Sequence, residues 1–333
     1  MKLSLNVGVF DTKLIYQASP YCGDQIFAKG LEANGFEVIR FDYRATDDAN
    51  DSLVRLAMSM KHKPDIVWFG KAERILPITL DILRQVFPDA IFVKWAADVR
   101  DEPTEHDMSH NRYIDWFFGT FGGEYLKKHL LPEMKGAASI ITFTDSSFYK
   151  KYQVELKYMT DILWTGRLGF GDNPIRNEVI NFLGRLHSCN VKIAGLRDWL
   201  GYPEYLYYIN GTKIGIGSNS FNRPKYSSDR LGNYMACGTF YLPQYFEGIE
   251  KVFTRKVNID WFSNIDELEE KIKYYLANES LRKDIAAKGQ EFVLKHFDCK
   301  PLVSNLLHII ETGNSKYPWD NVYKNEKTKR NRK

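Results

Sequence analysis

Several features are missing from these 333 residues. No apolar run approaches the ~18–20 residues that a membrane-spanning helix needs. The opening stretch, Leu3 to Phe10, reads directly as a strand. It lacks the basic start, apolar middle and small-residue cleavage site of a secretory leader. Only four cysteines occur, Cys22, Cys189, Cys237 and Cys299, far apart and without metal or redox spacing. The expectation is reduced, mostly buried thiols in a cytoplasmic protein. No Gly-x-Gly-x-x-Gly follows the first strand, where the chain reads Asn6-Val-Gly-Val-Phe-Asp-Thr. That argues against a dinucleotide site, and so against an epimerase built on one.

A broadly basic surface is missing too. The net charge is +4, yet Lys324 to Lys333 carry six basic side chains and one acid. The rest of the chain therefore sums to about −1. Residues 313–333 read as a basic tail without order, more often a solubilising end than a nucleic-acid contact.

What is present is alternation. Leu3–Phe10, Phe36–Phe41, Asp65–Gly70, Ile91–Trp95, Asp115–Phe118 and Ser139–Phe143 read as strands. Helical apolar spacing falls between them, as at Leu76, Leu80, Leu83 and Phe87. After a polar, aromatic crossover at Asp145–Lys157 the pattern restarts with Asp161–Thr165, Val191–Ala194, Lys213–Ile216 and Thr239–Leu242. Ile175, Val179, Phe182 and Leu186 line one helix, and three more follow from Ile265 onward. Strands alternating with helices of this length imply parallel βαβ units. The expected layout is a first domain over 1–155, a second over 156–312, and the tail. Ligands of such sheets lie beyond the carboxyl ends of the strands.

The most informative segment is Ser227-Ser-Asp-Arg-Leu-Gly-Asn-Tyr-Met-Ala-Cys-Gly-Thr-Phe-Tyr-Leu242. Ser228 and Asp229 suit a helix cap. Arg230 then adds a cation to a helix end that is already positive, a conflict that a bound phosphate would remove. An ordinary surface arginine in an α/β crossover fits the local pattern equally well.

With these residues in view, the C-terminal half resembles the nucleotide-binding domain of GT-B glycosyltransferases, nearest the CgeB-like, group 1 type. The resemblance rests on Asp161-Ile-Leu-Trp-Thr-Gly-Arg-Leu, on the Ser228–Phe240 segment, and on Trp261-Phe-Ser-Asn-Ile-Asp-Glu-Leu with the helices after it. It spans roughly 161–307. The first half matches loosely, through Lys63-Pro-Asp-Ile-Val-Trp-Phe-Gly-Lys and Val93-Lys-Trp-Ala-Ala-Asp. The implied fold is α/β, two Rossmann-like domains with parallel sheets facing a central cleft. The implied activity is sugar transfer from a UDP- or GDP-sugar donor to an acceptor hydroxyl, with no tightly bound cofactor. In larger retaining families two glutamates eight positions apart flank the donor helix. Here Lys225 and Asn233 stand at those positions. The resemblance therefore fixes neither the donor nor the stereochemical course.

On this reading Gly166, Arg167, Lys225, Ser228, Arg230 and Asn233 belong to the donor side. Gly215 and Gly217 suit close approach of a ligand, and the loop Gly195-Leu-Arg-Asp198 bounds a base pocket or is plain surface. Asp11, in a long loop after the first strand, and Lys71 belong to the acceptor side. Asp98 is the candidate base for the acceptor hydroxyl, with a salt bridge to Arg100 or a cap as the plain alternative. His106 and His110 are spaced as metal ligands are, but Glu102–Asn111 reads more readily as an exposed loop. No Asp-x-Asp occurs, which agrees with a metal-independent site where arginine and lysine carry the leaving charge. The acceptor stays open between a cell-surface or spore saccharide and a hydroxylated base in DNA, as in phage DNA modification. A nucleotide- or sugar-binding module without catalysis remains the rival reading.

Overall fold

A computed structural model describes residues 2–10, 22–169, 171–195 and 200–325. The chain divides into two units, 1–141 with 299–333, and 142–298. The boundary thus falls earlier than 155/156. The helix after residue 298 belongs to the first unit rather than the second.

In the first unit β1 (Lys2–Gly8), β2 (Phe36–Asp42), β3 (Ile66–Phe69), β4 (Ile91–Ala96), β5 (Trp116–Gly119) and β6 (Gly136–Ser139) form one parallel sheet. Its order is β6-β5-β4-β3-β1-β2, with β1 inside the edge strand β2 and paired to both β2 and β3. β1 is buried on both faces, Leu3, Leu5 and Val7 on one and Ser4 and Asn6 on the other. Crossover helices covering both faces of a parallel sheet produce this pattern. The helices are α1 (Gly23–Ala33), α2 (Ala49–Ser59), α3 (Pro77–Val86), α4 (Glu105–Asn111) and α5 (Gly123–Lys127). α1 ends before Gly35, whose φ of +87° suits glycine.

Three local expectations change in this unit. The last parallel strand is Gly136–Ser139, not Ser139–Phe143. Its Gly-Ala-Ala-Ser run has weak β propensity, and the close backbone approach at Gly136 recruits it: a Cβ there would lie 2.5 Å from the Tyr323 carbonyl. That neighbour is the second change, because residues 322–324 form a strand that pairs antiparallel with β6. The tail is therefore structured to residue 325, and 326–333 lie outside the described residues. Third, residues 105–111 are helical, not an exposed loop. Thr104 and Asp107 form a reciprocal cap, and His110 is fully buried.

The second unit is a four-stranded parallel sheet. β7 (Thr160–Thr165) and β9 (Thr212–Gly217) lie inside, with β8 (Val191–Ala194) and β10 (Phe240–Pro243) at the edges. α6 (Pro174–Gly184), α7 (Glu204–Gly211), α8 (Arg230–Ala236), α9 (Ile249–Val252), α10 (Ile265–Ala277) and α11 (Glu279–His296) complete it. Asn264 caps α10 through the Glu267 N–H at 2.9 Å. α12 (Cys299–Thr312) and β11 (Val322–Lys324) then close the first unit. All four cysteines are free thiols, but only Cys237 is buried; the other three are half-buried. No helix among the described residues is long and apolar enough to cross a membrane.

Candidate functional site

The carboxyl ends of β7 and β9 carry the site. The loop after β9 is its hub. Ser218 Oγ accepts the Trp164 indole N–H at 2.9 Å, and the Asn219 carbonyl accepts from Asn173 Nδ2 at 2.8 Å. Asn219 in turn donates to the Tyr226 carbonyl at 2.8 Å. These bonds hold the segment from Ser218 to Tyr226 against the start of α6.

Arg176 enters this hub from the first turn of α6, and sequence reasoning missed it. It is buried, at 2% exposure, and among the described residues its charge faces no carboxylate. One guanidinium nitrogen donates to the Ser218 carbonyl and another to the Arg167 carbonyl at 2.8 Å. Nε has no partner among the described residues. Burial, with Arg230 as a nearby like charge, pulls the Arg176 pKa down to about 10. The missed signal is helical phase. The expected face of Ile175, Val179, Phe182 and Leu186 is rotated, so the fully buried positions are Arg176, Val179 and Leu183.

Arg230 opens α8 and reaches the buried Tyr241 hydroxyl, whose pKa burial pushes up to about 12 while Arg230 holds it down. Asp229 does not cap the helix with its side chain; it accepts instead from Asn233 Nδ2 at 3.4 Å. Ser228 does not cap it either. Its N–H donates to Asn219 Oδ1 at 3.3 Å, and its buried hydroxyl has no partner among the described residues. Asn233 is buried and its Oδ1 is likewise without one. Buried polar atoms are normally satisfied. Among the described residues, Arg176 Nε, the Ser228 hydroxyl and Asn233 Oδ1 are thus three buried polar atoms without a partner.

Gly166 follows β7, and a Cβ there would lie 2.6 Å from Arg176 Nη2. Arg167 is exposed beside it. Gly166, Arg167 and Arg230 thus lie close to Arg176, whereas Ser228 is tied to Asn219 and Asn233 to Asp229. Lys225 is different: it is buried, has a φ of +55°, donates its N–H to the Glu247 carbonyl at 2.7 Å, and packs along Gly248. Gly215 and Gly217 leave room for protein, not for a ligand. A Cβ on Gly215 would lie 2.2 Å from the Tyr234 ring, and one on Gly217 would lie 2.1 Å from the Tyr241 hydroxyl. Residues 196–199, and Asp11, lie outside the described residues.

Lys71 and Asp98 sit in the first unit, at the carboxyl ends of β3 and β4. They form an exposed, loose ion pair at 3.4 Å. Such a pair adds little stability and leaves both groups free to exchange partners. Asp98 is not paired to Arg100.

Residues 176–308 match the family described as glycosyl transferase-like. The fold is that of the GT-B glycosyltransferases. The chain is similar to a glycosyltransferase from Rickettsia africae, with TM-score 0.63, 14% identity, and 93% of this chain and 98% of that one covered. It is similar to sucrose-phosphate synthase from Thermosynechococcus elongatus, with TM-score 0.60, 13% identity, and 93% and 98% covered. It is also similar to Anabaena HepE in complex with UDP, with TM-score 0.58, 11% identity, and 94% and 100% covered. No curated protein matches the sequence. The glycosyl transferase-like segment starts at Arg176 itself and contains Lys225, Arg230 and Asn233. Gly166 and Arg167 lie just before it.

Proposed function

We propose that this protein transfers a sugar from a nucleoside-diphosphate sugar to an acceptor hydroxyl. The observation that carries the reading is Arg176, a buried cation without a carboxylate, coupled to Arg230 and bonded to the backbone of Arg167. A diphosphate is the group that would satisfy all three. In the reaction the bond between the sugar's C1 and the β-phosphate oxygen breaks, and its electrons stay on the diphosphate. The acceptor oxygen bonds to C1 and yields its proton to a base. The arginines stabilise the growing charge on the leaving group without a metal ion. The unsatisfied Ser228 hydroxyl and Asn233 carbonyl oxygen suit the donor's hydroxyls, with Asn233 in the ribose role. Asp98 is the proposed base, which requires it within hydrogen-bond reach of the acceptor proton.

UDP-sugars are the first donors to test, because HepE structures hold UDP and UDP-glucose; GDP-sugars are the second. The CgeB-like affinity, carried by the Asp161–Leu168, Ser228–Phe240 and Trp261–Leu268 segments with the helices after the last, is part of this proposal. The test is a thermal-shift panel of UDP- and GDP-sugars, followed by product analysis with the best donor. Arg230→Ala should abolish transfer and leave the fold intact; unchanged turnover would refute the phosphate role. A protein that binds the donor but never releases or transfers its sugar is a binding module.

A further inference from the structure

The first unit contains a cavity of about 470 Å³ beyond the ends of β3 and β4. That size suits a small ligand rather than a polymer surface. Lys71, Lys94, Trp95, Asp98, Arg100 and His106 line it. Lys94 projects from the interior of β4 and is 1% exposed. Among the described residues its ammonium makes one hydrogen bond, to Asp107 Oδ1 at 2.9 Å. An ammonium carries three donors, so two remain unused. Asp107 is itself divided, because its other oxygen accepts the Thr104 hydroxyl at 2.7 Å as part of the α4 cap.

The other carboxylates of the cavity are also engaged. Glu73 is held by Arg44 and by the Tyr43 hydroxyl. Asp98 meets Lys71 in the loose, exposed pair at 3.4 Å. Arg100 forms no ion pair among the described residues. His106 adds a buried Nε2 without a partner among the described residues, and burial, then the Lys94 charge, lowers its pKa. A buried cation with unused donors is costly unless a ligand completes it. The unmet demand here is for negatively charged oxygen, at one end of the cavity.

We propose that this cavity binds the anionic group of an acidic acceptor sugar, a uronate or a sugar phosphate, with Lys94 and Arg100 as its counterions. This rests on the sugar-transfer reading above, which it extends to the acceptor. A row of DNA phosphates fits less well. The lining carries as many carboxylates, Glu73, Asp98 and Asp107, as cations, Lys71, Lys94 and Arg100. A polyanion would meet these carboxylates as well as the cations.

The experiment is an NMR titration of the full chain with glucuronate, glucose 6-phosphate and glucose, repeated for Arg100→Ala and Lys94→Met. At least one acidic sugar should bind about tenfold or more tighter than glucose. Arg100→Ala should lose most of that preference and Lys94→Met all of it. A preference for glucuronate alone assigns the carboxylate, and one for glucose 6-phosphate alone assigns the phosphate. Equal binding of all three, no binding, or a preference that survives both substitutions overturns the proposal. So does displacement of the acidic sugar by a short DNA duplex at equal phosphate concentration. Arg100 is exposed, so its variant keeps the test decisive should Lys94→Met unfold through the stranded Asp107. UDP is titrated into the same samples. Loss of UDP binding in the unsubstituted protein defeats the donor reading, whereas unchanged UDP binding with no acid preference defeats only this one.

Discussion

The guanidinium of Arg176 lies 4.9 Å from the centroid of the Trp164 ring, and the Trp164 indole N–H in turn holds Ser218. The cation is thus kept in place by an aromatic face and two carbonyls, with its charge left uncompensated. Cation–π contact contributes on the order of 2 kcal/mol when desolvated, less than a buried charge costs. On the sugar-transfer proposal, a bound anion would supply the balance. Inorganic pyrophosphate should therefore raise the melting temperature of the unsubstituted protein. Arg176→Met should lose that rise and bind UDP about tenfold or more weakly, as read by calorimetry. Equal stabilisation of both proteins would contradict the assignment.

Gly217 offers an independent route to the same site. A methyl group there would meet the Tyr241 hydroxyl at 2.1 Å and the Pro243 backbone at 3.2 Å. Tyr241 is buried and cannot swing aside. Gly217→Ala should cost about 1–3 kcal/mol by overpacking. It should also weaken UDP binding, because Arg230 leans on that hydroxyl. Chemical denaturation and a UDP titration of one sample measure both effects.

Gly30 tests the unit boundary. A Cβ at this position of α1 would lie 2.3 Å from Val303 Cγ2 and 2.5 Å from the Cys299 carbonyl oxygen, both in α12. Alanine normally stabilises a helix over glycine by about 1 kcal/mol. Overpacking against backbone outweighs that gain, so Gly30→Ala should lower stability by roughly 1–3 kcal/mol. Adding Val303→Ala should recover only part of the loss, since the Cys299 carbonyl cannot be trimmed. A variant as stable as the parent would show that the two helices are not this close.

Buried histidines set the response to acid. Burial, then the Lys94 and His106 charges, pulls His110 down to about 3. Burial, aided by Lys94, pulls His129 down to about 4. Groups with depressed pKa bind more protons unfolded than folded between these values and about 6.5, so their stability contribution falls as pH drops through that window. Asp24 acts the other way. Burial raises it to about 6, so its contribution is full below about 4 and is lost as pH rises through 6. Two histidine shifts outweigh one aspartate shift, and stability should fall from pH 7 to pH 5. His110→Gln can keep a donor for the Ile75 carbonyl, which the ring meets at 2.7 Å. It should give a shallower slope between pH 6.5 and 4 in denaturant titrations.

How much of this was legible follows the range of the interactions involved. Strands with β-branched or aromatic residues, such as Ile66–Phe69 and Phe36–Asp42, declare themselves locally. Gly136–Ser139 does not, because its partner Tyr323 lies far along the chain and supplies the reason for the small residues. Arg167 and Arg230 were legible as cations following strand or cap patterns. Arg176 was not, because a quarter-turn of helical phase separates a surface arginine from a buried one.

Alternation of strand and helix, the absence of a dinucleotide turn, and the segments around Gly166 and Arg230 are properties of neighbouring residues. The amino-acid order alone settled them, and with them the α/β class and the GT-B expectation. Which polar groups are buried without a partner is set by residues remote in the chain. Only the folded structure could show Arg176 under Trp164, the tyrosine rings filling the space beside Gly215 and Gly217, and Lys94 with two unused donors. Burial and electrostatic cost depend on what the whole fold brings to one place, and no local pattern carries that information.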